Sequence, residues 1–143
     1  MLSKKFEQYE IGETWKSRGR TITETDIVNF SGVSGDFFPL HTDAEYAKET
    51  MFKQRIAHGM LVLSIGTGLL ELCPSVIVAF YGIENLHFIK PTFIGDTIHL
   101  ETEVTDLQHK NDKGVITFKQ EIKKQTGETV ITAEYKFLIH KEG

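Results

Sequence analysis

At 143 residues with a formal net charge of -4, the chain suits one domain, large enough for a core but small enough that a deep pocket calls for a second subunit. Lys and Arg are scattered rather than clustered, and the aromatics are not interleaved with them, which argues against nucleic-acid binding. A single cysteine, Cys73, excludes an internal disulfide framework; Met1-Leu2-Ser3-Lys4-Lys5 opens no apolar signal core, and the longest apolar run, Gly59 to Leu70, is short of the roughly 20 residues that span a bilayer. The expectation is a cytoplasmic protein that is not membrane-inserted, and a homodimer or higher homo-oligomer.

In chain order, Glu13 to Ile22 is predicted as a first strand. Thr23 then caps a short helix through Asp26 to Phe30, since Thr-x-x-Asp is a capping-box spacing, and the helix ends at Gly32 or Gly35. Asp43 caps a second short helix, Ala44 to Glu49, with Tyr46 and Ala47 facing inward. Between the two lies a loop, Asp36-Phe37-Phe38-Pro39-Leu40-His41, whose only ionisable groups stand at its ends. A carboxylate and an imidazole on one proline-stiffened loop suit proton transfer to and from a shared water, provided that burial raises the carboxylate.

From His58 to about Leu72 the chain is apolar nearly all round, with Gly66 and Gly68 reducing the bulk and Pro74 beyond as a stop. Such a helix is expected to be buried on every face. Strands follow at Val76 to Tyr81, Asn85 to Ile89, Thr97 to Thr105, Val115 to Lys123 and Thr129 to Ile139, rich in Ile, Val, Thr and Phe. Asn111-Asp112-Lys113-Gly114 and Thr126-Gly127 supply hairpin turns. The solution is α+β: an antiparallel sheet wrapped around a long central apolar helix, the hotdog fold, as a single domain over residues 1–143.

Ser34-Gly35-Asp36-Phe37-Phe38-Pro39-Leu40-His41-Thr42-Asp43, Tyr46-Ala47 and Ile56-Ala57-His58-Gly59-Met60-Leu61 together resemble the MaoC-like, (R)-specific enoyl-CoA hydratases. Phe88-Ile89-Lys90-Pro91 and Gly95-Asp96-Thr97 extend the resemblance over most of the chain. It implies hydration or dehydration of an enoyl-CoA or (R)-3-hydroxyacyl-CoA thioester, with Asp36 and His41 as the catalytic pair and the Gly59 amide as donor to the thioester carbonyl. The family's motif usually has Asn where this chain has Phe38, so a retained acid/base pair with altered acyl specificity is expected. The substrate is a thioester of coenzyme A or of acyl carrier protein; no metal and no redox cofactor is expected, because adding water moves no electrons.

Water addition needs a base for the water proton, an acid for the α carbon and a donor for the enolate oxygen. Gly59 stands where the long helix begins, so its amide is one of the unpaired donors there. His58 is expected to support the site by hydrogen bonding. Ser64 and Thr67 lie inside the helix, where hydroxyls usually bond back one turn, and Thr67 is the candidate to touch the acid loop. His87, His99, His109 and His140 lack zinc-site spacing. Gly66-Thr67-Gly68 lies within a helix rather than at a strand-to-helix turn and is no phosphate loop; Cys73 has no histidine beside it in sequence. Two rival functions remain: a non-catalytic acyl-thioester binding subunit, and a hotdog thioesterase, disfavoured because the only acid in the helix, Glu71, is at its far end.

Overall fold

The computed structural model describes residues 2–143. Strand β1 (Thr14–Lys16) and strand β2 (Arg20–Thr21) occupy the stretch expected as one strand, and both pair antiparallel with the long strand β4 (Thr97–Lys110). The interruption has a local cause. The Ser17 hydroxyl accepts the Leu100 N–H at 2.8 Å while the Ser17 N–H donates to the Leu100 carbonyl at 3.0 Å, so a side chain takes the place of a backbone acceptor in the ladder.

Helix α1 (Glu24–Ser34) begins with the expected capping box. The Asp26 N–H donates to Thr23 Oγ1 at 3.2 Å and the Thr23 N–H donates to Asp26 Oδ2 at 2.8 Å. Its end is set by Gly35, whose φ of 77° is the left-handed conformation that glycine adopts without a Cβ penalty. Arg20 Nη2 donates to Asp26 Oδ1 at 2.9 Å, and this bond holds the Asp26 carboxyl down at about 2, from an ordinary 3.8. A depressed carboxyl contributes stability above its unfolded value and loses it as pH falls through the folded one. We therefore expect Asp26→Ala to cost about 1–2 kcal/mol at pH 7, chiefly through the cap because the Arg20 side is partly solvated. The cost shrinks between pH 3.8 and about 2, as denaturant unfolding at the two ends of that window will read.

Two further short helices follow, α2 (Pro39–Thr42) and α3 (Ala44–Lys48). The first was expected to be loop; Pro39 at its first position presets the backbone, and Asp43 N–H closes the turn on the Pro39 carbonyl at 2.8 Å. Asp43 caps α3 as expected, Oδ1 accepting the N–H groups of Glu45 and Tyr46 at 3.0 Å each.

Helix α4 (Gly59–Gly68) is shorter than the sequence predicts. Leu69 and Leu70 donate to the carbonyls of Gly66 and Thr67, tightening the last turn, and Glu71 turns the chain away at a φ of 52° before Pro74 is reached. Burial on every face is also corrected. Leu61, Val62, Leu63 and Gly66 are buried, but Met60, Ser64 and Gly68 form an exposed stripe in the single chain. Gly66 has a packing reason: a Cβ there would lie 2.8 Å from Ile122 Cδ1 and 3.5 Å from Leu100 Cδ2, so glycine lets the helix rest directly on the sheet.

The two runs expected between Val76 and Ile89 are one strand, β3 (Ile77–Phe88), with three register shifts that keep it paired to β6 (Thr129–His140). With β5 (Lys113–Lys124) the order across the sheet is β1-β4-β5-β6-β3, all antiparallel, with β2 beside β4. One core joins Leu61, Val62 and Leu63 of α4 to Leu100, Phe118, Ile122, Tyr135 and Phe137 of the sheet. This is a hotdog fold, α+β, as the order of elements implied. Among the described residues no helix is long and apolar enough to cross a membrane.

Candidate active site

The acid loop is fastened at both ends by its own side chains. Ser34 Oγ accepts the Asp36 N–H at 3.1 Å, and Asp36 Oδ1 accepts the Phe38 N–H at 3.1 Å, a local turn that fixes the carboxylate's direction. Thr42 Oγ1 bonds the carbonyls of Phe37 and Phe38 at 3.0 and 3.2 Å. Asp36 itself is exposed, so the burial that the sequence reading asked of it is not supplied within one chain.

His41 sits on α2 with only 9% of its surface exposed. Its Nδ1 lies 2.8 Å from the Ile56 carbonyl, which can only accept, so Nδ1 carries the proton and Nε2 keeps a free lone pair. Burial pushes the His41 imidazole below its ordinary value; the Ile56 bond opposes this, the neighbouring His58 adds to it, and Asp36 opposes it, with a net lowering. Asp36, His41 and His58 each bring a donor atom to within 4.8 Å of the other two. His58 commits Nε2 to the Asp36 backbone carbonyl and His41 commits Nδ1 to Ile56, so the Asp36 carboxylate and the His41 imidazole remain as neighbouring groups able to exchange a proton.

Phe38 meets His41 edge to face with ring centroids 5.9 Å apart and leans on Tyr46 at 6.2 Å. It shields the imidazole from one side. Because burial is the leading cause of the lowered His41, Phe38→Ala is expected to raise the His41 titration midpoint toward 6.5, read by NMR of the imidazole ring protons. An unmoved midpoint would show that Phe38 is no part of the shield.

Gly59 opens α4, and the helix start has no side-chain cap. Its first amides are therefore available to a ligand, at the end where the helix dipole favours negative charge. A Cβ at Gly59 would lie 2.5 Å from Phe88 Cδ1, so only glycine allows the Phe88 ring to close over this point. A cleft of about 340 Å³ runs from there, lined by Ile56, Gly59, Met60, Phe88, Pro91 and Ile131 among others. His58 is buried beside His41 and bonded to the loop through the Asp36 carbonyl. Thr67 does not bond the acid loop: its hydroxyl donates to the Ser64 carbonyl at 2.6 Å, the ordinary fate of a helical threonine.

Three contributors escaped the sequence reading: the Ile56 carbonyl, which sets the His41 tautomer; Ser31, whose hydroxyl lies 3.2 Å from His58 Nε2; and Phe88, which roofs Gly59. Phe88 stood inside a motif already singled out, yet nothing in its spacing says which glycine it covers. For Ser31 the only signal is a hydroxyl one helical turn before the Gly35 cap.

Fold and site together define a hotdog protein with an acid/imidazole pair beside the open N-terminus of its helix. The profile of the MaoC like domain matches residues 6–131, and the chain belongs to this family. Protein MaoC of Klebsiella aerogenes is 42% identical over 98 residues, 68% of this chain but 29% of that protein, so the chain spans less than a third of it. The (R)-specific enoyl-CoA hydratase of Rhodospirillum rubrum is 35% identical over 138 residues, covering 96% of this chain and 93% of the relative. Among solved structures, an Archaeoglobus protein described as a monoamine oxidase regulatory protein superposes with a TM-score of 0.91 at 45% identity, over 100% of this chain and 98% of that one.

Proposed function

We propose that this chain is a hydro-lyase that adds water to an enoyl thioester, or removes it from an (R)-3-hydroxyacyl thioester, carried on coenzyme A or acyl carrier protein. The reading is carried by the grouping of the Asp36 carboxylate, the His41 imidazole and His58 within 4.8 Å, at the start of α4, which has no side-chain cap. Hydratase relatives of nearly full length support the same reading.

Asp36 and His41 hold one water between them. His41 offers the Nε2 lone pair as acceptor, because Nδ1–H is spent on Ile56. One of the two takes the water proton as oxygen bonds to the β carbon, and a proton is delivered to the α carbon from the same face. The Gly59 amide holds the enolate oxygen while the charge is on it; a donor of this kind contributes about 10²–10³ in rate. No electrons move, so the step asks for no redox group.

A second copy of the chain completes the site in this proposal. Strand β3 is a long edge strand with Val78, Phe80, Tyr81 and Ile83 exposed, and its last residue, Phe88, roofs Gly59. An apolar edge of that length calls for a partner, and a homodimer pairing there would extend to Phe88 over Gly59. Hydrolysis is disfavoured because α4 carries no acid and Glu71, beyond its end, is turned to Arg18.

The test is loss of the conjugated chromophore of crotonyl-CoA with purified protein, while free thiol is monitored. Chromophore loss without thiol release supports the proposal. Thiol release means a thioesterase, and binding with neither signal, for crotonyl-CoA, longer enoyl-CoA thioesters and enoyl thioesters of acyl carrier protein alike, means a non-catalytic subunit; either outcome overturns it.

A further inference from the structure

His58 is only 2% exposed, and its two ring nitrogens have opposite surroundings. Nε2 lies 3.0 Å from the Asp36 carbonyl oxygen and 3.2 Å from Ser31 Oγ. A carbonyl only accepts, so the proton is on Nε2. Nδ1 is buried and has no hydrogen-bond partner among the described residues. Burying a polar atom in this way is unfavourable, and where it persists it asks for a compensating role.

The ring itself shows what that role is. One face lies on His41, with centroids 3.9 Å apart and planes 27° from parallel, and Phe30 packs 4.9 Å away. With Phe38 against His41, four rings run in a row: Phe30, His58, His41, Phe38. His58 occupies the cap position of α4, yet its side chain does not cap the helix. It reaches instead to the end of α1 through Ser31 and to the acid loop through the Asp36 carbonyl. His41 is gripped by the same segment twice, by the Ile56 carbonyl at its edge and by His58 on its face.

We infer that His58 is the positioning residue that sets the spacing between the acid and the base, holding Asp36 through its Nε2–H and His41 through its ring face. This rests on the hydro-lyase reading for its kinetic consequence, though not for its structural one. The two duties explain the residue type. Phenylalanine has the flat face but no donor; glutamine has the donor but no face; an imidazole has both, and the stranded Nδ1 is what remains. Ser31 completes the hold on Nε2 from α1, which fixes the ring's orientation about its own axis.

The two duties are separated by His58→Phe and His58→Gln. Each is expected to lower kcat about 10²-fold, the order that a small misplacement of catalytic groups costs, with KM changing less than about 3-fold. A purely structural role would instead lower stability and leave kcat of the folded fraction intact. Nitrogen NMR of the wild-type imidazoles gives an arm that needs no activity: His58 should show Nε2–H and a bare Nδ1, and His41 should show Nδ1–H. In both variants the His41 titration should move, since its titrating neighbours on the loop and on α4 are Asp36 and His58.

The inference is overturned if the His58 signals show a protonated Nδ1 with bare Nε2, or if both variants keep wild-type kcat and an unmoved His41 midpoint. If the variants do not fold, the wild-type nitrogen signals still decide, with Ser31→Ala expected to alter the His58 Nε2 signal. Should the wild type hydrate no enoyl thioester, the functional reading falls while the tautomers and the His41 titration continue to test His58.

Discussion

Asp36→Asn and His41→Ala are each expected to lower kcat for enoyl-thioester hydration by about 10²–10⁴, the span contributed by a positioned general acid or base. The asparagine variant is the cleaner of the two. Its amide oxygen can still accept the Phe38 N–H that now goes to Asp36 Oδ1, so the turn survives while the carboxylate's basicity is lost. Asp36 is exposed and contributes little to the core, so unfolding by urea should be nearly unchanged. His41→Ala removes a ring from the stack with His58 and loses some stability as well, which makes its kinetic effect harder to isolate. Steady-state kinetics beside unfolding curves decide the matter. Activity within a few-fold of wild type in Asp36→Asn would mean that the carboxylate handles no proton.

Lys124→Met is expected to cost about 3–5 kcal/mol of stability, as when one partner of a buried ion pair is removed. Lys124 Nζ lies 3.1 Å from Asp96 Oδ2 and 3.0 Å from the Pro91 carbonyl, with the two side chains 7% and 12% exposed. Burial pushes the Asp96 carboxyl up, but hydrogen bonds from Gln125, the Phe93 N–H and Lys124 outweigh it and hold the group below its ordinary value. Without Lys124 the carboxylate keeps its charge in a poorly hydrated place. The loss should appear as a fall in Tm on the order of 10 °C. Adding Asp96→Asn to Lys124→Met should recover much of it, because no unpaired charge is then left. A loss below about 1 kcal/mol would show that water reaches the pair and that the brace is weak.

The same brace links stability to the site. Lys124 holds Pro91, and the Thr92 carbonyl accepts the Ala57 N–H at 2.8 Å, one residue before His58. Pro91 and Thr92 line the cleft, so a loosened brace should widen it as well as destabilise the sheet.

Much of this molecule is short-range chemistry and was legible in the chain. The capping box of Thr23 and Asp26, the Gly35 stop and the Asp43 cap involve groups within a few residues of one another, and all form where the spacing puts them. The alternating strands and their turns follow from a period of two and from Asn111 and Gly127 at positive φ. That Asp36 and His41 lie near one another was visible for the same reason, a few residues apart in the chain, although His41 falls on α2 rather than on a loop.

Where the reading missed, the deciding force acted across the fold. Ser17 breaks the first strand only because Leu100 lies opposite, and α4 stops at Gly68 through tightened turns that no residue type announces. The amino-acid order alone determined the caps, the turns and the fold class, since periodicity, caps and turns act between near neighbours in the chain. Tertiary structure alone decided that His58 lies on His41, that Ile56 sets the imidazole tautomer and that Phe88 requires Gly59 to be glycine. Phe88 and Gly59 meet only after strand and helix have packed, and their separation in sequence contains no record of that contact.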